Sequence, residues 1–319
     1  MNRWSVCLLA VAAHGLAQEG KVAEPVLAEF MDLRSGGVVR VLGSPGSSVL
    51  AGPVPLAPAG LRGADSPREG LLAGVDENGV FSVWDYRKRL VSRPAVPDNP
   101  DSVVISASGR AIAIAYYPSR EITVLTWRGE RPIVHRVHPW PAPERFRLAA
   151  VSGDAGRVLA IAESDSGSRA WLLSDDREPV PIREVAAGAV AAFLPGADGF
   201  VFADPGTREV LSCSSSTLAC KVILDSSAGL ERPSAVAADS TKRVFVADSA
   251  LRQIFFIDAE TGEGGRLECP AQPTQLVPLG PALFLAATPD SDTVMLLDSG
   301  SDTPRVVSAV WASSEGVQP

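Results

Sequence analysis

Histidine is nearly absent from this 319-residue chain, with only His14, His135 and His138. A Ser-His-Asp triad also lacks the GxSxG turn that would present its nucleophile. Basic clusters are equally scarce: Arg87-Lys88-Arg89 is the densest run, and it follows the apolar stretch Val80 to Trp84 as a solvated turn would. With a net charge of -8 and a sequence pI near 5.0, the chain has no footprint for nucleic acid, whose binding is built from clustered Lys and Arg. No apolar run approaches the ~20 residues of a membrane-spanning helix. Long helices are excluded as well, because 28 Gly and 26 Pro interrupt the sequence throughout. Charged residues make up only 21% against 46% hydrophobic, which rules out global disorder and supplies a sizeable core.

Short strands joined by turns suit this punctuation. The first 17 residues combine Arg3, an apolar stretch from Val6 to Ala13 and the small residues Gly15 and Ala17, the order of a secretory signal peptide. Cleavage after Ala17 would leave an exported protein, periplasmic or extracellular, with no transmembrane span. Residues 18–57 form an N-terminal strand or clasp segment. In it Glu29 to Leu33 and Val38 to Leu42 flank Ser35-Gly36-Gly37 as a hairpin, and Gly43 to Pro58 reads as a Gly/Pro/Ser-rich connection holding the short apolar stretch Val49 to Ala51.

From residue 58 to 310 one unit recurs. It is clearest from Pro233 to Glu263, where Ser234 to Ala238, Arg243 to Ala247 and Gln253 to Ile257 are apolar runs separated by turns. Second-strand candidates follow Gly70, Arg110, Arg157, Gly199, Arg243 and Pro281, at spacings of 40, 47, 42, 44 and 38 residues. Third strands follow as VFSVWD, EITVLTW, RAWLLSD, EVLSCS, QIFFID and TVMLLD, four of them ending at Asp85, Asp175, Asp258 and Asp298. Outer strands are assigned to Pro132 to Val137, Pro179 to Val185, Lys221 to Leu224, Gly265 to Glu268 and Arg305 to Val310. In the first unit the outer strand, Leu90 to Val96, is weakened by Pro94. A period of about 40 to 50 residues with four strands per unit predicts an all-β fold, a single β-propeller of six four-stranded blades, with the N-terminal hairpin as a clasp or an incomplete seventh blade. Residues 311–319 are left as a C-terminal tail.

At these repeats the chain resembles bacterial YVTN-type and NHL-type β-propellers and, more distantly, WD-repeat proteins. Trp84-Asp85 stands where a WD dipeptide would, without the Gly-His partner. The resemblance implies a binding or scaffold module for a protein, peptide or carbohydrate partner. Its enzyme alternative is a metal-dependent hydrolase or lyase of the gluconolactonase-like propeller type, which holds a central metal with carboxylates and Asn. Past the signal peptide only Asn78 and Asn99 are present, both in turn-like contexts.

The carboxylates near strand ends, Asp204, Asp248, Asp258, Asp290, Asp292 and Asp298, are candidates for convergence at one rim, set against ordinary Asp turn chemistry. His135 and His138, three apart on a strand, would point to opposite faces unless the strand bends. Cys213 and Cys220 flank a short Ser-rich hairpin connection that a disulfide would close, with two buried thiols as the alternative. Cys269 is then unpaired. No residue is assigned to catalysis, to a cofactor or to a metal.

Overall fold

The computed structural model describes residues 25–32, 35–44, 47–66, 69–128, 130–164, 167–196, 198–286, 294–301 and 303–311. Within them every regular element of more than one turn is a strand. The chain opens with β1 (Val26–Asp32), β2 (Gly37–Ser44) and β3 (Ser47–Pro55), and then builds six blades. Blade 1 is β4 (Arg62–Ser66), β5 (Leu71–Val75), β6 (Phe81–Asp85) and β7 (Leu90–Ser92). Blade 2 is β8 (Ser102–Ile105), β9 (Ala111–Tyr116), β10 (Glu121–Arg128) and β11 (Arg131–Pro139). Blade 3 is β12 (Arg145–Val151), β13 (Arg157–Ser164), β14 (Gly167–Ser174) and β15 (Arg177–Val185). Blade 4 is β16 (Val190–Phe193), β17 (Gly199–Asp204), β18 (Glu209–Ser214) and β19 (Cys220–Leu224). Blade 5 is β20 (Pro233–Ala238), β21 (Arg243–Asp248), β22 (Gln253–Asp258) and β23 (Gly264–Glu268). Blade 6 is β24 (Val277–Pro278), β25 (Leu283–Leu285), β26 (Val294–Asp298) and β27 (Arg305–Trp311). Each blade pairs its strands antiparallel in chain order, the arrangement of a six-bladed β-propeller.

Burial explains the sequence pattern of the second strands. A strand in the middle of a sheet stacked on both sides has no solvent face, so β5, β9, β17 and most of β21 are apolar at successive positions and fully buried. Successive side chains then serve different interfaces. Ile112 and Ile114 of β9 pack toward blade 1 with Val75 and Phe81, while Ala111, Ala113 and Ala115 pack toward blade 3 with Val158 and Ala160. Phe245 of blade 5 meets Phe284 of blade 6 at a centroid distance of 5.4 Å. Tyr86, Tyr116 and Trp140 are buried in the same inter-blade layers.

The ring closes by two contacts at different radii. Near the axis the first strands of blades 6 and 1, β24 and β4, approach each other directly. At the periphery β3 pairs parallel with β27, Val49 opposite Val310 and Leu50 opposite Trp311, so that blade 6 and the N-terminal strands form one seven-stranded sheet. One side of the N-terminal sheet packs on blade 6 through Phe30, Val39, Leu50 and Leu296. The other covers Leu61, Leu72, Trp84 and Tyr86 of blade 1 with Met31 and Val38. The expected hairpin is present as β1 and β2, but Gly43 to Pro58, read as a connection, contains a nine-residue strand. Val49 and Leu50 make it one, because they find ladder partners in both β2 and β27.

Two further boundaries follow local chemistry. β7 stops at Ser92, two residues before Pro94, which has no N–H to offer a ladder. The Asp76 to Gly79 turn closes with Gly79 at φ 81, where an added Cβ would collide with the Asn99 side chain. Among the described residues no helix is long and apolar enough to cross a membrane. Residues 1–24, which include the expected signal peptide, and 312–319 lie outside the described set.

Candidate functional site

Antiparallel alternation sorts the loops into two rims. Turns after the first and third strand of each blade share one, the turn rim. Turns after the second strands and the blade-to-blade connections share the other, the connection rim.

At the turn rim the six inner strands converge on a cavity of about 370 Å³ at the mouth of the central channel. Each blade contributes a small or apolar side chain to its wall: Ala64, Val104, Ala149, Ala191, Val236 and Pro278. Among the described lining residues Asp239 is the only carboxylate, and its Oδ1 already accepts from the Thr241 and Arg243 N–H groups and the Thr241 hydroxyl. A hard divalent cation needs six or more converging oxygens. This largely apolar wall instead suits an apolar group. Asn78 and Asn99 belong to blade 1 turns on the connection rim, away from this mouth; the Asn78 N–H donates to Asp76 and the Asn99 N–H to the Gly79 carbonyl.

The strand-end carboxylates do not gather. Asp204 and Asp248 end second strands at the connection rim, whereas Asp85, Asp175, Asp258 and Asp298 end third strands at the turn rim. Asp290 and Asp292 lie outside the described residues. Asp248, fully buried, accepts four backbone N–H groups: Glu231 and Arg232 on Oδ2 at 2.7 and 2.9 Å, Ala250 and Leu251 on Oδ1 at 2.9 and 3.1 Å. It thereby fastens the connection leading into blade 5 to the turn leaving β21. Asp204 does the same in blade 4, accepting from Ala186 and Gly206. Asp258 accepts from the Thr261 and Glu260 N–H groups, which hold its pKa below the usual carboxylate range. In the equivalent turn chemistry of blade 3, the Ser152 hydroxyl depresses Asp154 in the same way. Asp298 accepts from the Gly300 N–H and pairs with Arg305 at 3.0 Å.

The histidines come together where alternation alone would separate them. In the β10–β11 ladder Val124 pairs with Arg136 and Leu125 with Val134, which leaves His135 as an unpaired bulge residue and resets the face on which later residues fall. As a result His135 Nε2 lies 2.7 Å from Asp175 Oδ2 and His138 Nε2 lies 3.6 Å from Asp175 Oδ1, joining blade 2 to blade 3. His138 is buried, and burial lowers its pKa against the opposing pull of Asp175. Its Nε2 and Asp175 Oδ1 are both buried without a hydrogen-bond partner. The direct imidazole–carboxylate bond of His135 makes this a structural latch, and no trio of His, Cys, Asp or Glu among the described residues is arranged to ligate a metal.

Cys213 and Cys220 stand opposite each other in the β18–β19 ladder with sulfurs 2.03 Å apart. Cys269 is a free thiol buried between blades 5 and 6, its pKa pushed up to about 12 by desolvation. Burial of this kind disfavours the thiolate that acts as nucleophile or ligand.

No family model and no curated protein matches this sequence. Solved structures do match in shape. A 6-phosphogluconolactonase candidate from Bacteroides uniformis superposes with TM-score 0.55 at 14% identity, covering 88% of this chain and 96% of that one. The β-propeller domain of Cps50 (Swd1) from Myceliophteria thermophila gives 0.50 at 12%, covering 77% and 85%. A chain of a nidogen/laminin complex also gives 0.50 at 12%, covering 76% and 93%. At such identities the likeness is one of fold, and the three share the propeller.

Proposed function

We propose that this chain is an exported propeller of the YVTN/NHL type that works as a binding or scaffold module for a protein, peptide or carbohydrate partner, in the periplasm or outside the cell. One observation carries the reading. The channel mouth, where a propeller enzyme would assemble converging polar groups, is walled mainly by Ala, Val, Leu, Phe and Pro, and its one carboxylate among the described lining residues, Asp239, is taken up by its own turn. The described strand-end carboxylates are meanwhile divided between two rims and occupied by backbone N–H groups, by a cation or by histidine. Support for export comes from the Arg3, Val6 to Ala13 and Ala17 pattern, and a disulfide such as Cys213–Cys220 persists in an oxidising compartment. That one structural neighbour was solved within a protein–protein complex agrees with a binding role.

The test is purification of tagged protein from the exported fraction of its native cell, combined with assay of the purified chain on sugar lactones with and without Ca²⁺ or Zn²⁺. A partner retained in fixed stoichiometry, with no turnover, is the expected result. Divalent-ion-dependent lactone hydrolysis would overturn the proposal.

A further inference from the structure

Arg87-Lys88-Arg89, the densest basic run of the sequence, lies in the turn between β6 and β7 at the turn rim, and the fold divides its charges. Lys88 pairs with Glu130 of blade 2 at 3.2 Å and with Asp85 at 3.6 Å. Arg87 and Arg89 line a separate cavity of about 370 Å³, in the seam between blade 1 and the N-terminal sheet. The Arg87 stem lies against Gly70, at φ 72, where an added Cβ would meet it at 2.6 Å. The opposite wall is one face of the N-terminal sheet. Glu29 stands across from Arg40 in the β1–β2 ladder and Val38 across from Val54 in the β2–β3 ladder, and alternation turns all four toward blade 1. Pro55 and Leu56 continue the apolar part of that wall.

Charge sets this cavity apart. Its lining holds three arginines, Arg40, Arg87 and Arg89, and one carboxylate, Glu29, which Arg40 Nε holds at 2.9 Å. Three positive charges less one negative leave an excess of two, in a chain whose net charge is -8. The cavity between blades 1 and 2, which Arg87 also borders, has no such excess: Arg87, Lys88 and Arg110 are balanced there by Glu69, Asp85 and Glu130. The exposed Arg89 side chain has no partner among the described residues.

We propose that the seam cavity binds a small phosphate monoester, its phosphate facing Arg89, Arg87 and Arg40 and a compact apolar body lying against Val54, Pro55 and Leu56. This inference goes beyond the binding-module reading and does not depend on it. The excess of two positive charges matches a phosphate monoester, which carries a charge of about -1.5 to -2 at pH 7, better than a single carboxylate. Guanidinium groups suit this anion because their forked N–H donors meet two of its oxygens at once. A concave space of this size between two sheets takes a small molecule. Arg40 comes from the N-terminal sheet and Arg87 and Arg89 from blade 1, so the anion spans the seam that closes the ring and stabilises the closed form by mass action.

Calorimetric titration of the purified protein with phenyl phosphate at constant ionic strength tests the proposal, with inorganic phosphate, benzoate and benzyltrimethylammonium as comparison probes. Phenyl phosphate should bind at one site and raise the melting temperature, more tightly than inorganic phosphate or benzoate, and the cation should not bind. Arg89→Asn, a side chain suited to the φ of 54 at that position, should weaken phenyl phosphate about tenfold while leaving the melting temperature of the free protein unchanged. Arg40→Gln, from the other side of the seam, should weaken it as well. Arg110→Asn removes the same charge from the cavity between blades 1 and 2 and should leave the affinity as it was. Absence of saturable binding, equal affinity in Arg89→Asn, an equal loss in Arg110→Asn, or benzoate binding as tightly as phenyl phosphate would each overturn the assignment. So would binding to vesicles containing phosphatidic acid by a protein that ignores phenyl phosphate, which would give these arginines to a membrane surface.

Discussion

Replacing Asp248 separates two meanings of a buried carboxylate. The side chain is fully buried and accepts four backbone N–H groups, two from the segment entering blade 5 and two from the turn leaving β21. A hydrogen bond to a charged acceptor contributes about 1.5–3 kcal/mol, and a buried donor left without a partner costs about 1–3 kcal/mol. Four such bonds do not add, because water enters part of the space that Ala leaves. Asp248→Ala is therefore expected to cost about 4 kcal/mol. Asp248→Asn keeps one accepting oxygen but turns an NH₂ toward two N–H donors, and is expected to cost about 3 kcal/mol. Asp258 is the control: it makes the same kind of turn in solvent, where its donors recover water, and Asp258→Ala should cost below about 1 kcal/mol. Urea unfolding at 25 °C followed by both circular dichroism and tryptophan fluorescence reads the difference, with coincident curves as the check on a two-state transition. At a slope of about 3 kcal/mol/M, the Asp248→Ala midpoint falls by roughly 1.3 M. A carboxylate retained to hold a ligand lowers stability, so its removal would leave the midpoint unchanged or raise it. Equal midpoints for Asp248→Ala and Asp258→Ala would refute the turn-fastening role.

Other perturbations probe other parts of the ring. Phe245→Ala empties the blade 5–blade 6 interface beside Phe284 and is expected to cost about 3–5 kcal/mol by the same urea assay, with Phe245→Leu losing much less. Because burial lowers the His138 pKa, the unfolded chain binds that proton more readily. The His138 contribution is thus complete above about pH 6.5 and lost as pH falls below it. Asp175 faces the ring as a counter-charge that opposes this shift, whereas Arg136 and His135 reinforce it. His138→Gln should flatten the pH 7 to 5 stability profile, and an unchanged slope would count against the latch. Cys213→Ala with Cys220→Ala should lower stability by about 2 kcal/mol. Thiol titration of the unfolded chain lacking residues 1–17 should find one free thiol, Cys269; three would mean that the hairpin is not cross-linked.

The second and third strands were legible because their burial on both faces writes continuous apolar runs into the sequence. Arg243 to Asp248 and Ala111 to Tyr116 show this most plainly. Inner strands were faint: β8, β16 and β24 are only two to four residues long, so their signal resembles that of a loop. β3 was missed for a different reason, since Val49 and Leu50 become strand residues through a partner at Val310 and Trp311, far away in sequence. Asp290 and Asp292 lie outside the described residues, whereas Asp204, Asp248, Asp258 and Asp298 pointed correctly to turns. Their division between two rims follows from strand parity, because second and third strands end at opposite sides of a sheet. The approach of His135 and His138 to one carboxylate depended on a bulge set by cross-strand register, which spacing within one strand does not encode.

The pairing of β3 with β27 places a time order on folding. Strands near residue 49 wait for strands near residue 310, so a chain delivered from its N-terminal end carries Phe30, Val39 and Leu50 uncovered until nearly all of it has arrived. Pairing across such a separation is slow because the loop must close before any contact rewards it. Blades 2 to 5 can each pair within their own segment, whereas the seam forms last and is the first place at which the ring can open. An agent that protects or competes for those apolar faces during that interval would control how much closed propeller a cell obtains, without touching the finished molecule.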